Sequence, residues 1–185
     1  MRASVYIATS YDGFIARPNG DLDWLPGAEA SESDGSGADG DGEDYGYAAF
    51  IASVDHLVMG RNSFEKILSF GGDWPYQIPV IVLTSKGIEI PSSMQDRVEV
   101  MFAEPTQVVE TLAQRGAKHL YIDGGLTIQR FLRAGIIDRL IISRVPVLLG
   151  QGIPLFGELS TDIQLKHIET RSYESGVVQS EFNVL

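Results

Sequence analysis

His56-Leu57-Val58-Met59-Gly60-Arg61-Asn62-Ser63-Phe64 runs from an apolar stretch straight into a segment with helical spacing. His56 to Met59 reads as a short strand, and Phe64, Ile67 and Leu68 recur at intervals that lay the next helix over it. A strand passing directly into a helix is the repeating unit of a parallel sheet covered by helices. Downstream the same alternation returns. Pro79 to Leu83 is almost wholly apolar, as expected of a strand covered on both faces. Val98 to Phe102 is another strand, and Thr106 to Arg115 a helix with Val108, Val109 and Leu112 inward and Gly116 as its stop. Leu120 to Ile122 is a strand broken by Asp123-Gly124-Gly125, after which Ile128, Phe131 and Leu132 mark a helix. Asp138 to Val147 is a long strand.

Upstream, Ser4 to Thr9 is a β-branched and aromatic run closed by the turn signal Ser10-Tyr11-Asp12-Gly13. Phe14 to Ala16 leads into a second turn at Pro18-Asn19-Gly20, and Tyr45, Tyr47, Ala48, Phe50 and Ile51 form a helical stripe ending near Ser53. Ile163 to Tyr173 and Val177 to Val184 show period-two tendencies around Glu174-Ser175-Gly176, a hairpin signal. The expected fold is α/β: three layers, α/β/α, with a mainly parallel central sheet and an antiparallel C-terminal hairpin.

The 185 residues, 44% hydrophobic and 21% charged, suit one domain over 1–185. Cysteine is absent, which excludes disulfides, zinc–thiolate sites and a cysteine nucleophile. A net charge of −11 argues against nucleic acid as a partner. No apolar run approaches the ~20 residues that span a bilayer, and the N-terminus lacks an apolar leader; a cytoplasmic protein without membrane attachment is expected. Residues 28–44 contain only Ala, Ser, Gly, Asp and Glu, with seven acidic residues, and without them the net charge is −4. Such a composition reads as an exposed, flexible acidic loop. Gly35-Ser36-Gly37-Ala38-Asp39-Gly40 inside it matches a dinucleotide fingerprint, but no strand precedes it and its carboxylates repel phosphate. Asp39-Gly40-Asp41 only faintly suggests a calcium loop, because Asp44 stands where that template needs Gly. No metal site is expected, since His56, His119 and His167 lack metal-ligand spacing, and no nucleophile elbow is present.

Ligands of open α/β sheets gather at the carboxyl ends of the strands. Gly60, Arg61, Asn62 and Ser63 offer amides, a helix dipole and a cation. Thr84, Ser85 and Lys86 offer two hydroxyls and a cation suited to a phosphomonoester. Asp123-Gly124-Gly125 lets a ligand approach the backbone. Each alone is ordinary turn or cap chemistry; all three at successive strand ends indicate a phosphate-bearing ligand.

These segments, together with Ser10 to Ala16, Leu22-Asp23-Trp24-Leu25, Val58 to Glu65 and Leu83-Thr84-Ser85, resemble the dihydrofolate reductase superfamily. Ile137-Asp138-Arg139-Leu140, Pro146 to Gly150 and Pro154-Leu155-Phe156 are similar to the reductase domain of the bifunctional riboflavin-biosynthesis deaminase/reductase. The resemblance covers nearly the whole chain except the acidic loop. It implies an eight-stranded sheet, NADPH as cofactor, and hydride transfer to a pterin- or pyrimidine-type heterocycle such as 5-amino-6-(5-phosphoribosylamino)uracil. Dihydrofolate reduction and nucleotide binding without turnover are the alternatives. It also implies that Gly60, Arg61, Asn62 and Ser63 lie on the pyrophosphate or adenosine side, with Thr84, Ser85 and Lys86 near the 2′-phosphate. Gly124, Gly125, Leu126 and Thr127 would cradle the pyrophosphate, and Ala8 and Ile15 would meet the carboxamide. Residues 11–24 would close over the reacting ring.

By ungapped counting from Gly60, Asp44 falls at the position of the superfamily's proton-supplying carboxylate, and Ser143 at that of its supporting hydroxyl. An Asp at a helix start is equally well a cap. Asp12 is either a substrate group or turn chemistry, and Trp24, Trp74 and Tyr76 either line a substrate cleft or serve as core or lid packing. Arg17 stands where the pattern often has Gly and is a candidate for a substrate phosphate. Asp123 replaces the usual Glu or Gly, adding a carboxylate near the cofactor. A stand-alone reductase and a homodimer are expected; residues 28–44 as an interaction or divalent-ion segment is a weaker reading.

Overall fold

The computed structural model describes residues 1–26 and 43–185. The expectations for residues 28–42, including the glycine-rich decoy and the calcium-like stretch, lie outside the described residues. The elements, in chain order, are β1 (Arg2–Ser10), β2 (Phe14–Ala16), α1 (Tyr47–Ser53), β3 (His56–Gly60), α2 (Arg61–Ser69), β4 (Val80–Leu83) and β5 (Val98–Met101). They continue with α3 (Pro105–Gln114), β6 (His119–Asp123), α4 (Gly125–Arg133), β7 (Arg139–Val145), β8 (Ile153–Pro154), β9 (Leu165–Ser172) and β10 (Val178–Val184).

Eight strands form one sheet in the order β5-β4-β3-β6-β1-β7-β10-β9, parallel except for β10, which runs against both its neighbours. Alternation of side chains along each strand divides the apolar residues between two layers. Val58 and Ile81 face Val108 and Leu112 of α3 and Ile128 and Phe131 of α4. Leu57, Met59, Val80 and Val82 face Phe50 of α1 and Phe64 of α2. The expected three layers and C-terminal hairpin are therefore present. Among the described residues no helix is long and apolar enough to cross a membrane.

Two features differ from the sequence reading. β9 is exposed along its full length despite its alternating pattern, because it is the outermost strand and neither apolar layer extends to it. β8 is two residues long and includes Pro154, too little to register as a strand, yet it pairs with β2 in a second small sheet. Buried Gln129 of α4 fixes that sheet by donating from Nε2 to the carbonyls of Pro154 and Leu155 at 3.1 and 3.2 Å.

Candidate active site

Strands β4, β3 and β6 are consecutive in the sheet and parallel, so Thr84, Gly60 and Asp123 end side by side on one rim. The two helices that start there, α2 and α4, have Gly60 and Gly124 as N-caps, neither with a side-chain cap bond. Their first amides are thus left for an anion, with the helix dipoles adding partial positive charge.

The packing of this rim forbids side chains at its glycines. Gly124 has φ +86°, and a Cβ there would overlap Ser63 Oγ. A Cβ at Gly60 would lie 2.9 Å from Thr127 Oγ1, and one at Gly125 only 2.8 Å from Ile15 Cδ1. Gly60, Ser63, Gly124, Gly125, Thr127 and Ile15 therefore come together from four elements. Arg61 and Asn62 lie in the first turn of α2, Arg61 making a 3.5 Å contact with Glu65. Leu126 and exposed Ser85 and Lys86 complete the rim. The donor set and the bare backbone cradle fit a dinucleotide pyrophosphate, so the residues present suit the expected cofactor.

The remaining predicted positions fall differently. Thr84 Oγ1 closes a turn, donating to the Lys86 carbonyl and accepting the Lys86 amide at 3.0 Å, so its hydroxyl shapes the loop and is not aimed at a phosphate. Asp12 accepts from Ser10 Oγ at 2.6 Å and from the amides of Leu149 and Gly150 at 3.2 and 2.8 Å. The Ser10 hydroxyl is the main cause that lowers its pKa. Its oxygens pin the segment after β1 to the segment after β7, a structural role. Arg17 is paired with Asp23 at 2.6 Å and Asp21 with Lys66 of α2 at 3.0 Å, so residues 17–23 are held across to α2. Trp24 is 9% exposed and packs with Val145 and Val177 beside Ala8; its buried Nε1 has no partner among the described residues.

Asp44 is a cap. Its carboxylate accepts the amides of Gly46 and Ala48 at 2.8 and 3.0 Å, and these bonds, Ala48's foremost, lower its pKa. A carboxyl so engaged holds no proton near neutral pH. Ser143 does not support it: its hydroxyl accepts from Gln179 Nε2 at 2.9 Å, and that amide also reaches the Tyr45 carbonyl at 3.0 Å. Gln179 lies on β10, a partner that no spacing in the sequence discloses.

The carboxylate that stands out is Asp123. It ends β6, in register with Met59 and directly before Gly124. Burial pushes its pKa up to about 6, against the opposing pull of the Gly124 amide and the Tyr121 hydroxyl. Tyr47, Tyr76 and Tyr121 feel its charge, each raised above the usual phenol range by burial first and by Asp123's charge second. The Trp74 ring meets Tyr76 edge-on at 5.4 Å and lies tilted to Phe64 at 5.5 Å, and its buried Nε1 is also unpartnered among the described residues. The sequence signal for Asp123 was its departure from the usual residue before paired glycines; Trp74 and Tyr76 read as either cleft or packing residues, and Tyr47 as part of a helical stripe.

A profile of the RibD C-terminal domain matches residues 4–179. The uncharacterized protein YwjB of Bacillus subtilis is 32% identical over 175 residues, 94% of this chain and 92% of its own length. The crystal structure of a putative riboflavin biosynthesis protein from Shewanella sp. PV-4 superposes with a TM-score of 0.88 at 38% identity, covering 100% of this chain and 99% of its own. Enterococcus faecalis dihydrofolate reductase, complexed with NADP(H), gives a TM-score of 0.66 at 17% identity over 99% and 96% of the two chains, a likeness of fold.

Proposed function

Because the chain belongs to the RibD C-terminal domain family, with the fold of dihydrofolate reductase, we propose that it is an NADPH-dependent reductase acting on a pterin- or pyrimidine-type heterocycle. 5-Amino-6-(5-phosphoribosylamino)uracil is the substrate to test first. The observation that carries the reading is the abutment of two uncapped helix starts, with Gly60 against Thr127 and Gly124 against Ser63.

When bound, the reduced nicotinamide would supply a hydride to an electrophilic carbon. The chain's own residues do the rest. The amides at the starts of α2 and α4 bind the pyrophosphate, as anions bind at helix N-termini. Lys86 and Ser85 meet the 2′-phosphate, a local cation offsetting a net charge of −11. Ile15 and the β2–β8 sheet, packed on Gly125, hold the nicotinamide end. Trp24 closes the segment after β1 and excludes water. The homodimer expected from the resemblance is part of the same proposal, and sedimentation equilibrium reads it directly.

Titration with NADPH, followed by nicotinamide fluorescence, tests the reading. Saturable binding is expected, with Lys86→Ala weakening NADPH more than NADH. No binding at millimolar NADPH overturns it. A panel of pyrimidine and pterin substrates then separates turnover from binding alone.

A further inference from the structure

The sheet has a second rim, where the parallel strands β1, β6 and β7 begin and β10 ends. β1 is nine residues long, so this rim lies roughly 25–30 Å from the one that carries Gly60 and Gly124. A cleft of about 660 Å³ opens on it, lined by Arg2, Lys118, Asp138, Lys166, Asn183 and Val184. We propose that this cleft binds a small sugar or polyol carrying a phosphate at each end. The site is separate from the cofactor rim and independent of the reductase reading.

Charge placement points to that ligand. β6, β1, β7, β10 and β9 are consecutive in the sheet, and Lys118, Arg2, Asp138, Asn183 and Lys166 stand at one level across them. The Arg2 amide donates to the Lys118 carbonyl at 2.8 Å, the Val184 amide to the Asp138 carbonyl at 2.9 Å, and Lys166 is in register with Asn183. Four strand spacings, about 19 Å, separate Lys118 from Lys166. Arg2, Lys118 and Lys166 make no ion pair among the described residues. The Met1 amine and the Leu185 carboxylate border the cleft as one charge of each sign.

Asp138 stands between the cations and narrows the chemistry. Its Oδ2 accepts the Ala3 amide at 2.6 Å, while Oδ1 has no hydrogen bond among the described residues. Phosphates at the two ends of a ligand would meet Arg2 with Lys118 on one side and Lys166 with Asn183 on the other, in charge-assisted bonds. A hydroxyl between them can donate to Asp138, which only accepts when ionised. A linear polyphosphate would instead press its central charge on that carboxylate. The backbone at Lys118 is already fixed, since Asp55 Oδ2 accepts its amide at 2.7 Å. The cleft has the size of a small-molecule site, for which about 300–1,000 Å³ is usual. The net charge of −11 opposes any anion, but charges beyond about 8 Å are largely screened at physiological salt, so the local cations decide.

Isothermal titration of the full chain with fructose 1,6-bisphosphate, at about 0.15 M salt and with NADPH absent or saturating, tests the proposal. A saturable event that NADPH leaves unchanged is expected. Fructose 6-phosphate should bind at least about tenfold more weakly, having lost one set of charge-assisted bonds, and inorganic tripolyphosphate should also bind more weakly than the bisphosphate. Lys118→Gln and Lys166→Gln should each weaken the bisphosphate about tenfold, whereas Lys86→Gln should leave it unchanged. Both lysines are exposed, so the variants' unfolding curves should overlay wild type. Binding that NADPH displaces in full, or that Lys86→Gln removes, places the sugar on the cofactor rim and overturns the proposal. Wild-type affinity in both lysine variants, equal affinity for the monophosphate or tripolyphosphate, or no binding up to about 10 mM overturns it as well. A protein that ignores NADPH yet takes the bisphosphate through Lys118 and Lys166 overturns the reductase reading alone.

Discussion

Replacing Asp123 with Asn should stabilise the protein at alkaline pH and do nothing at acid pH. The folded pKa of about 6 lies above the ordinary 3.8, so between these values the folded chain binds more protons than the unfolded one. Stability therefore falls as pH rises through that window, and is fully lowered once Asp123 ionises in the folded state. Two pKa units correspond to roughly 3 kcal/mol at about 1.4 kcal/mol each, an upper bound because the Asp123 side chain is only partly buried and water relaxes its charge. Asn keeps the size and one acceptor without the charge. Urea unfolding at pH 4, 5, 6, 7 and 8 for both proteins gives the curve directly. Their difference should be near zero at pH 4 and grow to roughly 1–3 kcal/mol by pH 8. A difference independent of pH would refute the claim that desolvation governs this carboxyl.

Gly124→Ala must place a Cβ against Ser63 Oγ at a φ of +86°; it should cost about 1–3 kcal/mol and remove NADPH binding, checked by thermal unfolding and titration. Asp44→Ala frees the amides of Gly46 and Ala48 and should lower stability by about 1 kcal/mol, seen as a Tm drop of roughly 2–4 °C. NADPH binding should survive it. Gln129→Ala leaves the Pro154 and Leu155 carbonyls without their donor and should cost about 1–3 kcal/mol, with faster amide exchange at the β2–β8 pair.

Much of the fold was legible because each strand-to-helix junction changes period in full view. Met59-Gly60 and Asp123-Gly124 turn from alternation to helical spacing within one residue, and the rim they form follows from parallel pairing alone. The roles of individual carboxylates were not legible. Asp12, Asp44 and Asp123 look alike as letters, yet loop amides hold the first, a helix start holds the second, and desolvation at the end of β6 governs the third. Those differences arise from partners distant in the chain, such as Leu149 for Asp12, and from desolvation, which no local pattern encodes. Thr84 illustrates the converse: a hydroxyl in the right place whose bonds are spent within its own turn.

The central strand β1 has a temporal consequence. Its partners begin at His119 and Arg139, so Arg2 meets His119 and Ser10 meets Val145. A chain emerging from the ribosome must carry β1 unpaired until β6 and β7 have been made. The β3-α2-β4 unit, whose contacts are nearby in sequence, can organise earlier. The last step of assembly is then the slotting of the N-terminal strand between two halves already waiting, which leaves that segment the natural target for chaperones and proteases acting on the nascent chain.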